Sequence, residues 1–225
     1  MTTYGEIVEP YTRACWEDWD ELFEEDSARF EWVRKEAIPN AIDCFIVLEG
    51  KSFINYIENK SNTKLQYVDS INKIDVTLYK TNELQYVCVV KDNNLLNSSE
   101  IVDLLKPYII VSKDVVTLQT KPLAEYQSMD VTNEMCIIRT VCTSHQSKTN
   151  VNFRKLEQPN IITGVSAGVI CLREHLGLCG KALVCYLEYI EEHQIEELQS
   201  LLKSLNIVSC VDATSNNILD SNLYI

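Results

Sequence analysis

The chain has 225 residues, of which 46% are hydrophobic and 24% charged, as in ordinary globular proteins and unlike disordered ones. Its 20 basic and 33 acidic side chains give a formal net charge of −13, which argues against nucleic acid and against an anionic membrane as the main partner. It contains no run of 18 apolar residues and no charged, apolar leader, so we expect a protein of the cytoplasm or nucleus.

Residues 1–40 differ from the remainder because they are acidic and contain all three tryptophans of the chain. Trp16, Trp19 and Phe23 are spaced i, i+3 and i+7, which places their side chains on one face of a predicted helix. Such a helix either packs on the core of its own chain, with its acidic side chains in solvent, or docks on a basic surface of a partner.

Residues 41–211 alternate between apolar, strand-like segments and amphipathic segments, which predicts an α/β core domain. Residues 42–48 form a nearly continuous apolar run that is typical of a buried central strand. Further strands are predicted at 65–68, 73–79, 84–91, 115–119 and 182–187, and residues 135–141 suit either a helix or a strand.

Helices are predicted at 51–59, from Ser98 to a stop at Pro107, from a cap at Thr163 to Leu176, and at 191–205. Together with the strands, these helices predict a three-layer α/β sandwich with a central mixed sheet and helices on both faces. Polar loops are predicted at 121–135 and 143–152. Residues 212–225 are polar and rich in asparagine, and we expect them to form a flexible tail.

One pattern typical of catalysis is present. Residues 164–168, Gly-Val-Ser-Ala-Gly, match the Gly-x-Ser-x-Gly nucleophile elbow, in which Ser166 would be the nucleophile of a serine hydrolase. An elbow needs a strand directly before it, and here only Ile161 and Ile162 precede it. The triad also needs a histidine, but His175 lies in the same predicted helix and His193 has no clear acidic partner. A serine hydrolase is therefore the alternative function, and we expect no enzyme.

Neither a metal nor a cofactor is predicted. The cysteines are odd in number and contain no Cys-x-x-Cys pair, so we interpret all nine as free thiols: Cys15, Cys44, Cys88, Cys136, Cys142, Cys171, Cys179, Cys185 and Cys210. A nucleoside- or nucleotide-handling α/β enzyme is a third class of function. The count of only 6 glycines disfavours it, because phosphate-binding loops are rich in glycine.

The last three residues, Leu223, Tyr224 and Ile225, form a hydrophobic-Tyr-X sequence that is typical of an anchor. The apolar side chain can fill a hollow, the tyrosine offers a ring and a hydroxyl group, and a carboxylate at the chain end can pair with a buried lysine. These residues therefore form the predicted protein-binding site. The alternative is a chain end without a role.

Three stretches resemble the family of proteasome assembly chaperone 1. Residues 4–8, Tyr-Gly-Glu-Ile-Val, are similar to the opening strand of that family. Residues 156–162, Leu-Glu-Gln-Pro-Asn-Ile-Ile, with the following helix and the strand at 182–186, give the strongest similarity. Residues 221–225, Ser-Asn-Leu-Tyr-Ile, are similar to the closing Ser-Asn-hydrophobic-Tyr-X of the family.

The resemblance implies a heterodimer with a second, related protein, proteasome assembly chaperone 2. Such a heterodimer would bind the ring of alpha subunits of the 20S proteasome during assembly, block off-pathway ring dimers and premature capping, and leave when the core particle matures. The tail with Leu223, Tyr224 and Ile225 would enter a pocket between adjacent alpha subunits. The resemblance implies no catalytic activity, no cofactor, and neither nucleic acid nor membrane as a partner.

Overall fold

The structure is a computed structural model that describes residues 30–50, 65–91, 94–128, 136–145, 153–188, 198, 200–205 and 207. Within these residues the strands are β1 (Ile42–Glu49), β2 (Gln66–Ile71), β3 (Val76–Asn82), β4 (Gln85–Val90), β5 (Ser112–Pro122), β6 (Cys136–Cys142) and β7 (Lys181–Leu187). The helices are α1 (Ser98–Val111) and α2 (Gly164–His175), and two short 3-10 turns are Leu95–Asn97 and Leu123–Glu125.

The seven strands form one mixed sheet in the order β2-β3-β4-β1-β5-β7-β6. β1 pairs in parallel with β4 and β5, and β5 pairs in parallel with β7. The strands towards both edges are antiparallel to their neighbours: β2 to β3, β3 to β4, and β6 to β7. The carboxyl ends of β4, β1, β5 and β7 therefore meet along one edge of the sheet.

Helices lie on both faces of this sheet. Successive residues of β1 point to opposite faces, so Phe45 belongs to one core cluster and Ile46 to another. The cluster of Phe45 contains the buried apolar side chains of α1 and α2, and we call this side the helix-pair face. The other cluster contains a helical segment near the end of the described chain, and we call it the Leu202 face after its buried member Leu202. The predicted three-layer α/β sandwich is confirmed.

Some element boundaries differ from the predictions. The predicted stop of α1 at Pro107 is wrong, because the helix continues to Val111. Proline removes one backbone N–H, but the burial of Tyr108 and Ile109 in the last turn keeps that turn helical. The segment predicted at 73–79 starts three residues later, as β3, because a turn with Lys73 at φ 67° precedes it. β5 extends to Pro122, into the loop predicted at 121–135. The segment predicted at 135–141 as either a helix or a strand is strand β6.

The beginning of the described chain packs on the core. The backbone of Trp32 bridges Ile71 of β2, and its ring meets Tyr108 of α1 edge-on at 6.0 Å between centroids. Phe30 contacts the same cluster. Three predicted features lie outside the described residues. They are the helix face with Trp16, Trp19 and Phe23, the helix predicted at 51–59, and the tail at 212–225. The domain limits predicted at 40 and 211 therefore stay a prediction. No helix in the described ranges is long and apolar enough to span a membrane.

Candidate functional site

A buried carboxylate lies at the edge of the sheet where the parallel strands end. β1 ends at Glu49, whose two carboxylate oxygens accept hydrogen bonds from the backbone N–H groups of Val165 (3.1 Å) and Ser166 (2.9 Å). These N–H groups belong to the first turn of α2, where the helix itself supplies no acceptor. Glu49 therefore caps α2 from a distant part of the chain, and its negative charge lies at the positive end of the helix.

The predicted cap of this helix is only half correct. Thr163 stands directly before α2, so the predicted start is confirmed, but its side chain makes no capping hydrogen bond. Glu49 makes these bonds instead. Two glycines with left-handed φ angles flank the contact, Gly50 at φ +130° and Gly164 at φ +70°. A Cβ atom at Gly164 would overlap Oε1 of Glu49, so glycine is needed there for the carboxylate to reach the helix.

Two side chains of β5 hold the segment that leads into α2. The side-chain amide of Gln119 donates to the carbonyl of Thr163 (3.1 Å), and the ammonium group of Lys121 donates to the carbonyl of Ile161 (3.1 Å). Ile161 itself is 66% exposed. We call Glu49, Gln119, Lys121 and residues 161–166 the strand-end site.

A second set of polar side chains anchors the segment before the strand-end site. Arg139 Nε donates to Glu157 Oε2 (3.0 Å), and Arg139 Nη2 donates to the hydroxyl oxygen of Tyr126 (2.8 Å). The Tyr126 hydroxyl donates to Glu157 Oε1. Partial burial acts to raise the pKa of the Glu157 carboxyl, but the hydrogen bonds from Tyr126 and Arg139 outweigh it, so this pKa lies below its usual value. The segment at 156–162 is therefore fixed on both sides.

Ser166, the candidate nucleophile, is 1% exposed, and its hydroxyl group has no hydrogen-bond partner in the described part of the chain. No strand directly precedes α2, so the nucleophile elbow is not formed. His175 lies nine residues farther along α2, about 13 Å along the helix axis. His145 lies near Gly177, at that same distant end, and His193 is outside the described residues. The described residues thus bring no histidine to Ser166.

The second glycine of the Gly-x-Ser-x-Gly pattern has a packing role. A Cβ atom at Gly168 would lie 2.8 Å from Cγ2 of Val102, on α1. Glycine at this position therefore allows α1 and α2 to approach each other closely. The contact with Glu49 at Gly164 and this helix contact explain both glycines without catalysis.

The predicted binding residues Leu223, Tyr224 and Ile225 lie outside the described residues, so the anchor stays a prediction. Sequence reasoning missed Glu49 and Gln119. One signal for Glu49 was present, since an acidic residue ends an apolar strand directly before a glycine. Its partner on α2 is 116 residues away, and no local pattern predicts that contact.

Metal-binding side chains do not gather in the ranges that the structure describes: no group there has three or more His, Cys, Asp or Glu side chains able to bind one ion. The cysteines in these ranges are free thiols: Cys44, Cys88, Cys136, Cys142, Cys171, Cys179 and Cys185. The chemistry on view at the strand-end site is hydrogen bonding and apolar contact.

Comparison with known proteins finds similarity of structure alone. The sequence matches no protein-family model and no curated protein. The fold is similar to that of PbaA from Pyrococcus furiosus, an archaeal homolog of proteasome-assembly chaperone, with a TM-score of 0.53 and 12% identity over 81% of this chain and 88% of that one. It is similar to PbaB from the same organism, an archaeal proteasome activator, with a TM-score of 0.53 and 13% identity over 80% and 91%.

A protein of unknown function from Thermoplasma acidophilum is similar as well, with a TM-score of 0.55 and 11% identity over 76% of this chain and 80% of that one. These matches cover 76–81% of this chain, and they define the fold class of the chain. The chain has the α/β fold of the archaeal proteasome-assembly chaperone homolog and the archaeal proteasome activator.

Proposed function

We propose that this chain is a proteasome assembly chaperone acting in the cytoplasm or nucleus. The observation that carries the proposal is the fold shared with PbaA over 81% of this chain and 88% of that protein. The similarity of residues 156–162 and 221–225 to the family of proteasome assembly chaperone 1 supports it from the sequence. The buried position of Ser166 gives no support to the alternative of a serine hydrolase.

In this proposal the chain forms a heterodimer with proteasome assembly chaperone 2. Both described edges of the sheet already bond to other segments of the same chain. At β2 the carbonyl of Ser70 accepts from the N–H of Val33 (2.9 Å), and at β6 the N–H of Thr140 donates to the carbonyl of Arg154 (2.9 Å). Extension of the sheet by a partner strand is therefore disfavoured. Exposed side chains such as Ile161 suit the role of partner contacts better.

The heterodimer would bind the alpha-subunit ring of the 20S proteasome, with the tail in a pocket between adjacent subunits. Leu223 would fill an apolar hollow, Tyr224 would add a ring and a hydroxyl group, and the carboxylate of Ile225 would pair with a lysine. Each of these contacts is made by the chain end alone. We expect deletion of residues 223–225 to leave folding and partner pairing unchanged.

The test is to co-express the chain with proteasome assembly chaperone 2 and to titrate the heterodimer against alpha-subunit rings. Deletion of residues 223–225 should weaken ring binding by about one to three orders of magnitude. Tyr224→Ala should do nearly as much and Leu223→Ala less, whereas Asn222→Ala serves as the matched control. One residue added after Ile225 should mimic the deletion because it displaces the carboxylate.

Two failures can be told apart in this experiment. A folded heterodimer that binds rings equally well without its tail would refute the anchor and leave recognition to the folded surface. A folded chain that binds neither alpha subunits nor proteasome assembly chaperone 2 would refute the chaperone proposal itself. Circular dichroism on each variant separates loss of binding from loss of folding.

A further inference from the structure

Three buried polar atoms near the start of α2 have no hydrogen-bond partner among the described residues. They are Thr117 Oγ1, Gln119 Oε1 and Ser166 Oγ, in residues that are 0%, 6% and 1% exposed. A buried polar group without a partner is costly, and folded proteins satisfy nearly all such groups with protein atoms or with a bound molecule. Three such atoms on β5 and the first turn of α2 call for an explanation.

The three residues lie on the helix-pair face of β5 and in the first turn of α2. Thr117 and Gln119 are two residues apart on β5, so their side chains point to the same face of the sheet. Gln119 pairs in register with Glu49 on β1, and its side-chain nitrogen is bound to the carbonyl of Thr163. Ser166 lies above them, since its backbone N–H donates to Glu49 Oε2 (2.9 Å). A ligand at this site would contact β5 on one side and the first turn of α2 on the other.

The lining determines which ligand fits. Gln119 Oε1 can only accept a hydrogen bond, and the hydroxyl groups of Thr117 and Ser166 can accept as well as donate. None of the three bonds to another directly. The Glu49 carboxylate beside them adds negative charge, and its hydrogen bonds within the described part of the chain come from backbone N–H groups alone. A ligand here must be small and must supply hydrogen-bond donors.

We propose that a compact hydrogen-bond donor, of the size of a water molecule or an ammonium ion, is bound between β5 and the first turn of α2. It donates to Gln119 Oε1 and bridges the hydroxyl oxygens of Thr117 and Ser166. The serine of the Gly-x-Ser-x-Gly pattern is then a ligand-binding residue rather than a nucleophile. The bound molecule ties α2 to β5 and thereby fixes residues 161–163, which present the exposed Ile161.

The sign of a stability change tests this site. Thr117→Val has nearly the same shape but lacks the hydroxyl group. If a ligand is bound, this variant loses a hydrogen bond, and the folding equilibrium constant should fall about tenfold. If the site is empty, the variant loses only an unsatisfied group, and its melting temperature should rise. Thr77→Val, on β3 outside the site, gives the effect of the same exchange alone.

Ser166→Ala and the double variant complete the cycle in the full-length chain. One shared ligand predicts that the double variant loses less than the product of the two single effects, because the ligand can be lost only once. Two rises in melting temperature, or two losses that multiply independently, would overturn the proposal.

Melting in different salts at equal ionic strength identifies the ligand. Ammonium chloride should raise the melting temperature of the natural chain above its value in tetramethylammonium chloride if ammonium binds, and the double variant should lose this difference. Equal melting in both salts, together with the destabilised Thr117→Val variant, assigns the position to water.

Discussion

The two faces of the sheet bury polar side chains in different ways. The Leu202 face has an apolar cluster of Ile, Leu, Val and Cys side chains, and its buried Gln85 donates from its side-chain amide to the carbonyl of Leu205 (2.8 Å). The helix-pair face adds buried polar and charged residues to its apolar cluster: Glu49, Thr117, Gln119, Ser166 and Arg173. An apolar cluster needs only the right periodicity and volume. A buried polar side chain also needs partners at defined positions, and on both faces these partners come from segments distant in the sequence.

The largest expected effect is on the helix-pair face, at Arg173. This side chain is fully buried, and its guanidinium donates to the carbonyls of Ile109, Ser112, Lys113 and Cys179 at 2.8 to 3.0 Å. Arg173→Met would leave these carbonyls buried without their donor. We expect the free energy of unfolding to fall by about 4 kcal/mol, measured by urea titration.

Arg173→Lys should not rescue this loss, because one ammonium group cannot reach carbonyls spread around a planar guanidinium. His175→Ala, at an exposed position of the same helix, is the control and should change stability by no more than about 0.5 kcal/mol. A loss of under about 1 kcal/mol for Arg173→Met would show that these bonds do not hold α2 in place.

A smaller effect is expected on the Leu202 face. Leu202→Ala removes a fully buried side chain and should lower the free energy of unfolding by about 3 kcal/mol. Leu202→Met keeps the volume and should cost less than about 1.5 kcal/mol, unlike the charge-conserving exchange at Arg173. The exposed neighbour Lys203 provides the control, as Lys203→Ala. Equal losses for Leu202→Ala and Lys203→Ala would contradict the packing of this helical segment on the sheet.

The cap of α2 can be tested with two glycines that share a left-handed φ. Gly177→Ala, at φ +66°, meets nothing closer than 3.7 Å and should cost about 1 kcal/mol for the backbone alone. Gly164→Ala, at φ +70°, must also displace the Glu49 carboxylate and should cost about 2 kcal/mol or more. Thermal melting of both variants measures the difference. If the two alanine variants melt alike, Glu49 does not hold the helix.

The smallest effect is one of reactivity: buried and exposed cysteine thiols should react at different rates in the unchanged, folded chain. Burial, with the nearby charges of Asp114 and Asp43, raises the pKa of the Cys44 thiol to about 12, and burial raises the pKa of Cys88 as well. Cys142 and Cys171 are exposed. We expect a disulfide reagent at neutral pH to modify the exposed pair first, because the thiolate is the reactive form. Mass spectrometry of the labelled peptides measures the order of modification. Earlier labelling of Cys44 or Cys88 would contradict their buried positions.

Periodicity was sufficient to predict most of the fold. The apolar run of β1 and the spacing of apolar residues in α2 are local signals, and the structure confirms both elements. The end of α1 could not be predicted from Pro107, because the burial of Tyr108 and Ile109 depends on the sheet beneath them. Tertiary packing there outweighs a local signal.

The strand-end site was far less predictable. The start of α2 was predicted correctly, because Thr163 directly before the helix is a local signal. The cap itself was missed, because it comes from the carboxylate of Glu49, 116 residues away in the sequence. The position of Gln119 beside Glu49 follows from the pairing of β1 with β5, which the sequence does not state. The anchor at 223–225 comes from the sequence alone and stays a prediction.

The most direct test of the proposed function is purification of the chain with the proteins it binds. The chain is tagged at its N-terminus, so that the carboxylate of Ile225 stays free, and is isolated under native conditions for quantitative mass spectrometry. We predict recovery of proteasome alpha subunits together with proteasome assembly chaperone 2, and depletion of mature 20S particles. Recovery of the folded chain without alpha subunits would contradict the role as a proteasome assembly chaperone.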